Sequence, residues 1–149
     1  MRRLLLPLLL VLALGGCGWV GRHDETSKPD GFLLHGYVSV AGAAAGVTGS
    51  ACLAPSSVRD VYQGGTVRIA DSSGRPIAAA ELAAGVLAAD GGGFDCNFAF
   101  EQRNVSSSRA TYQISVGSRP ATSFATKDLA EGRPAVIPVA AATASSSPS

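Results

Sequence analysis

Phe32-Leu33-Leu34-His35-Gly36-Tyr37-Val38-Ser39-Val40 sets Phe32, Leu34, Val38 and Val40 on one face of an extended chain. His35, Tyr37 and Ser39 fall on the other, the period of two expected of a half-buried β-strand. Three further stretches repeat the pattern. Thr66 to Ala70 turns Val67 and Ile69 inward and runs into Asp71-Ser72-Ser73-Gly74, residues whose side chains and φ freedom favour a tight turn. Phe94, Cys96, Phe98 and Phe100 share a face opposite Asp95, Asn97 and Glu101, which puts Cys96 in the core. Tyr112, Ile114 and Val116 give the fourth strand, closed by Gly117-Ser118-Arg119-Pro120. The alanines of Ala78 to Leu87 permit a helix, but Gly85 and the shortness of the run weaken it. A strand over Pro76 to Leu82 continues the hairpin begun at Gly74 and is preferred. Short strands spaced by Gly, Ser and Pro predict an all-β domain, a small antiparallel β-sandwich.

Outward from these strands, the chain begins with Met1, Arg2 and Arg3 and an apolar run from Leu4 to Leu14, interrupted by Pro7. A helix needs about 20 apolar residues to cross a bilayer. This run is too short and suits the apolar region of a signal peptide. It ends in Leu14-Gly15-Gly16-Cys17, which resembles the lipobox of bacterial lipoproteins. The resemblance implies cleavage before Cys17, a diacylglyceryl thioether on its thiol with palmitate-type chains, and residence at the extracytoplasmic face of the cell membrane. Two or more acyl chains hold a protein there stably. The competing reading is an ordinary secretory signal that happens to contain a cysteine. Residues 1–16 are then the signal peptide, 17–30 a lipidated N-terminus and tether that includes Asp24 to Asp30, 31–138 the sandwich domain, and 139–149 a Ser-, Ala- and Pro-rich tail. Trp19, just beyond the anchor, suits a membrane interface. Thr143 to Ser147 offers hydroxyls for O-linked sugars, although its composition reads first as a plain tail.

Loss of residues 1–16 removes Arg2 and Arg3, leaving ten basic and eleven acidic residues. A net charge near −1 with singly scattered arginines argues against nucleic acid as a partner. With Cys17 acylated, Cys52 and Cys96 remain in an oxidising compartment, the pair a disulfide would leave. Two free buried thiols or a shared metal are the weaker alternatives.

Gly36-Tyr37-Val38, Cys52, Asp60-Val61-Tyr62-Gln63-Gly64-Gly65-Thr66-Val67-Arg68-Ile69-Ala70-Asp71-Ser72-Ser73-Gly74, Leu82 with Gly85, Cys96 with Phe98 and Phe100, and Tyr112-x-Ile114-x-Val116 form a recurring pattern. Over roughly residues 36–130 it resembles small lipoproteins of mycobacteria and related actinobacteria. Leu53-Ala54-Pro55-Ser56-Ser57 departs from the glycines and Gly-Gly-Tyr found there in that group. The resemblance implies location and fold rather than an activity. The strand-turn-strand order is also similar to Ig-like, transthyretin-like and carboxypeptidase-regulatory-like sandwiches.

No set of catalytic residues converges in the sequence. His23 lies in the tether and His35 on an outward strand face, and a Gly-x-Ser-x-Gly elbow is missing. A zinc site needs three or four His or Cys ligands, which the committed cysteines cannot supply. Asp60, Asp71, Asp90 and Asp95 sit near Gly or Ser, where they serve turns first and calcium binding or glycosidase chemistry second. Tyr62 is the loop aromatic to watch as an interaction residue, with a plug beneath its loop as the competing role. The expected function is a non-catalytic, cofactor-free sandwich that binds or stabilises an envelope protein or glycan. A carboxylate-based cell-wall glycan enzyme and a carrier of a lipid or other apolar ligand are the alternatives.

Overall fold

The computed structural model describes residues 31–141. Cys17, Trp19, His23, the tether and Thr143 to Ser147 lie outside them. Nine strands and one short helix follow in order: β1 (Gly31–Val40), β2 (Ala51–Cys52), β3 (Thr66–Ala70), β4 (Pro76–Glu81), β5 (Gly85–Asp90), β6 (Gly93–Ser106), β7 (Thr111–Val116), β8 (Thr122–Ala125), α1 (Thr126–Ala130) and β9 (Ala135–Val139). They make two sheets, ordered β2-β5-β6-β1-β9 and β4-β3-β7-β8. The fold is therefore the β-sandwich that the period-two segments predict.

The four predicted strands bury most of the predicted residues, with Phe32 half-covered at the start of β1. Leu34, Val38 and Val40 of β1 are fully buried, as are Val67 and Ile69 of β3 and Tyr112, Ile114 and Val116 of β7. Cys96, Phe98 and Phe100 of β6 join them, while Phe94 stays half-covered at the mouth of the β5–β6 hairpin. Ala78 to Leu87 divides between β4 and β5, in favour of the strand reading over the helix. Val58 and Val61, at 1% and 2% exposure, plug the sandwich beneath the long β2–β3 connection.

Two features depart from the expectation. All pairings are antiparallel except that of β1 with β9, which is parallel, with Gly36 opposite Ala135 and Val40 opposite Val139. A parallel neighbour needs a crossover, and the chain makes it by passing through β8 and α1 before returning to the first sheet. Pro138 is accommodated because β9 is an edge strand, where a missing N–H costs no ladder bond. The domain also runs through Val139, buried at 3%, one residue past the expected boundary.

Two glycines are dictated by close approach. A Cβ on Gly36 would collide with the Ala135 carbonyl and, at 2.8 Å, with the Phe100 ring. The parallel strand can therefore lie against β1 only if position 36 lacks a side chain. Gly85 sits opposite Cys52 on β2. A Cβ there would stand 2.6 Å from the Cys52 carbonyl and 2.7 Å from the Cys96 sulfur. The Cys52–Cys96 disulfide, with Cα atoms 5.9 Å apart, crosses β5 at this bare position and ties the edge strand β2 to the central β6.

Candidate functional site

The four aspartates separate into three places. Asp60 lies in the β2–β3 connection and is held by Arg119, whose Nη2 donates to Oδ1 at 2.8 Å and whose Nε stands 2.8 Å from Oδ2. This hydrogen-bonded guanidinium holds the Asp60 carboxyl below the usual carboxylate range, against an opposing effect of burial. Tyr62 stands beside it, 58% exposed, on a groove of about 300 Å³ that also includes Thr66 and Arg68. The plug role thus falls to Val58 and Val61, and the Tyr62 ring is open to solvent.

Asp71 closes the β3–β4 turn at the other end of the sandwich. Its Oδ1 accepts hydrogen bonds from the Ser73 N–H at 3.0 Å, the Ser73 hydroxyl at 2.6 Å and the Arg75 N–H at 3.0 Å. Its Oδ2 takes Arg75 at 3.1 Å and Arg109, from the β6–β7 connection, at 3.4 Å. The Ser73 hydroxyl bond foremost, with the backbone donors and Arg75, lowers its pKa to about 2 despite burial. In each of these bonds the carboxylate is the acceptor, and it thereby staples two loops. A carboxyl depressed in the folded state adds stability above its unfolded pKa of about 3.9, lost as pH falls toward 2. Asp71→Asn is therefore expected to flatten the loss of stability between about pH 5 and pH 2, measured by denaturant titration at stepped pH. An unchanged acid limb would show that Asp71 does not carry it.

Asp90 and Asp95 come together on the outer face of the five-stranded sheet. They share a groove of about 360 Å³ with Tyr37, Ser39, Asn97 and the edge-strand residues Val136 and Pro138. Register explains the gathering. Ser39 is opposite both Asn97 on β6 and Pro138 on β9, and Tyr37 is opposite Val136. The Ser39 hydroxyl donates to Asp95 Oδ2 at 2.8 Å. Among the described residues Asp90 has no ion pair, and Asp95 has no cationic partner. The Oδ1 of Asn97 is buried with no hydrogen-bond partner among the described residues. Buried polar atoms are almost always paired, by protein or by ordered water, so this acceptor still has a hydrogen bond to make.

The sequence already separates Tyr37 and Ser39, and Asp95 and Asn97, onto outward faces. What it lacks is the register that makes those faces one surface. His35, opposite Glu101 on the same face, stands apart from Ser39 and Asp95 along the strand. No three His, Cys, Asp or Glu side chains among the described residues are placed to hold a metal ion. Between the sheets, Leu34, Val38, Ile69, Phe98 and Ile114 fill the space where an apolar ligand would have to sit. No helix among the described residues is long and apolar enough to cross a membrane. Comparison of the chain with known protein families, curated proteins and solved structures yields no match.

Proposed function

We propose that this chain is an envelope lipoprotein, anchored through Cys17 at the extracytoplasmic face, whose sandwich binds an uncharged envelope glycan in the Tyr37–Asn97 groove. The Ser39-held Asp95 carboxylate beside the Asn97 amide carries the reading, because such a side-by-side acceptor and amide suit the hydroxyls of a sugar. The rest of the groove agrees. Tyr37 offers an aromatic surface for the C–H face of a pyranose, and Asp95, held by Ser39, has a second oxygen to accept another hydroxyl. A volume of about 360 Å³ suits one or two sugar rings. The resemblance to actinobacterial lipoproteins and the lipobox at Leu14 to Cys17 support the address.

Calorimetric titration with neutral oligosaccharides released from the envelope tests this. Binding that weakens at least tenfold in Tyr37→Ala and in Asn97→Ala, about 1.4 kcal/mol or more each, is the expected result. Equal affinity in both variants would sink the proposal. The pairing of Asp90 and Asp95 in one groove keeps a carboxylate-based glycan hydrolase as the second reading. Release of shorter sugars by the wild type, lost in both Asp90→Asn and Asp95→Asn, would select it.

A further inference from the structure

The two ends of the sandwich differ in charge and surface, and the difference is aligned with the chain's entry. β1 begins at Gly31, and its partner β6 finishes beside it at Ser106. The β3–β4 turn at Asp71 and the β6–β7 connection at Arg109 belong to this same end, joined by the Asp71 carboxylate. Here Arg75, Arg103 and Arg109 face a single acidic side chain, Asp71. The nearby charges of α1 and its exit pair among themselves, Lys127 with Glu131 and Arg133 with Asp128, and add no net charge. The opposite end carries Asp60, Asp90 and Asp95 against Arg59 and Arg119.

A β-bulge shapes the cationic end. Between Phe32 and Leu34 the register of β1 with β6 slips, so that Arg103 and Asn104 together oppose Leu33. Asn104 takes a φ of 57°, in the left-handed region that a non-glycine residue adopts at a cost. The result is that Arg103 and Asn104, consecutive residues, both point outward, where an unbroken strand would send one into the core. They join two shallow grooves, one reaching Ile77 and Arg109 and the other Leu33 and Gly31. Leu33 and Ile77 are 46% and 41% exposed, apolar side chains set among guanidinium groups.

We infer that this end of the sandwich, Arg103 and Arg109 with Leu33 and Ile77, docks on an anionic phospholipid surface. Arginines beside exposed aliphatic side chains suit an interface that is negatively charged outside and hydrocarbon beneath. The inference rests on the anchor reading for its geometry. Fourteen residue steps separate Cys17 from Gly31, at most about 50 Å of chain, so a lipidated Cys17 keeps this end within reach of the bilayer. Such tethering makes weak contacts effective by raising local concentration. Docking by the Gly31 end would leave the Tyr37–Asn97 face at the side of the domain, open to the envelope.

The test uses the mature chain carrying Cys17→Ser, so that no acyl group contributes, sedimented with vesicles of phosphatidylglycerol or of phosphatidylcholine. Partitioning onto phosphatidylglycerol vesicles that falls steeply with salt, and is much weaker on phosphatidylcholine, is expected. Arg103→Glu should reduce it about fivefold or more, and Leu33→Asp should reduce it as well. Both side chains are exposed, and circular dichroism checks that the fold survives. Arg59→Glu, at the far end, should bind as the wild type does. No difference between the lipids, or equal losses in Arg59→Glu and Arg103→Glu, overturns the inference. Displacement by inorganic phosphate at the same ionic strength as an ineffective chloride control would also overturn it, by revealing a phosphate site instead. Intact mass of the native membrane-extracted protein examines the anchor separately, so docking and lipidation can fail independently.

Discussion

The double variant Cys52→Ala/Cys96→Ala is expected to lose about 4 kcal/mol of stability, the loop-closure entropy of a crosslink spanning 44 residues. In a domain of this size that is on the order of a 20 °C fall in melting temperature. It is also a large share of the 5–15 kcal/mol typical of a folded domain, taken as about 10. The effect should be concentrated where the bridge lies. β2 is two residues long and pairs only with β5, so without the sulfur bond little holds the edge and the long connection above Val58 and Val61. Hydrogen exchange should therefore rise first along Ala51 to Val61, ahead of the β1–β6 ladder. Denaturant titration of the two proteins measures the total. A loss under about 1 kcal/mol would mean that the oxidised bridge adds little beyond the packing of two small side chains. A uniform rise in exchange across both sheets would show that the bridge acts on the whole fold rather than on its edge.

How much of this architecture is legible in the sequence depends on how local the signal is. β1, β3, β6 and β7 each announce themselves by alternation within one segment, and Asp71-Ser72-Ser73-Gly74 announces its turn by residue type. The core position of Cys96 follows from the alternation of Phe94, Phe98 and Phe100 around it. β9 is different. Ala135, Ile137 and Val139 alternate inward, but Pro138 counts against a strand until its edge position is known. Its parallel pairing depends on contact with residues about 100 positions away. β2 and α1 are too short to show a period, although Thr126 and Leu129 of α1 are buried one turn apart.

The candidate site shows the same limit. Asp71 is readable as a turn former, yet nothing near it in the chain points to Arg109, 38 residues on. Asp95 and Ser39 are 56 residues apart and meet only through the β1–β6 register. Outward strand residues are individually bland, and the pairing of two such faces makes a groove. The bulge at Arg103 and Asn104 is likewise silent, because neither residue type demands a left-handed backbone. It becomes visible only as the place where the buried-exposed rhythm of β6 slips by one.

Tyr112 yields the other large expected effect, and two substitutions separate its parts. The side chain is fully buried, meets Phe32 edge-on with ring centroids 6.5 Å apart, and donates its hydroxyl to the Ser106 carbonyl. It thereby fastens the core of β7 to the end of β6, six residues back, much as a tyrosine corner does in Ig-like sandwiches. Tyr112→Ala should cost about 3–5 kcal/mol, the range for deleting a buried aromatic ring. Tyr112→Phe keeps the ring and strands one carbonyl, so it should cost only about 1–2 kcal/mol. A tyrosine hydroxyl raised by burial, as this one is, stays protonated in the folded state when the unfolded chain has begun to ionise. Its contribution is then complete below about pH 10, the unfolded value, and is lost as pH climbs toward the raised folded value. Wild-type stability should fall along that alkaline limb more steeply than that of Tyr112→Phe, which has no proton to lose there. Denaturant midpoints of the three proteins at neutral and alkaline pH measure both effects. Equal costs for Ala and Phe would place the energy in the hydroxyl rather than the ring. Parallel alkaline limbs would show that Tyr112 ionisation does not drive unfolding at high pH.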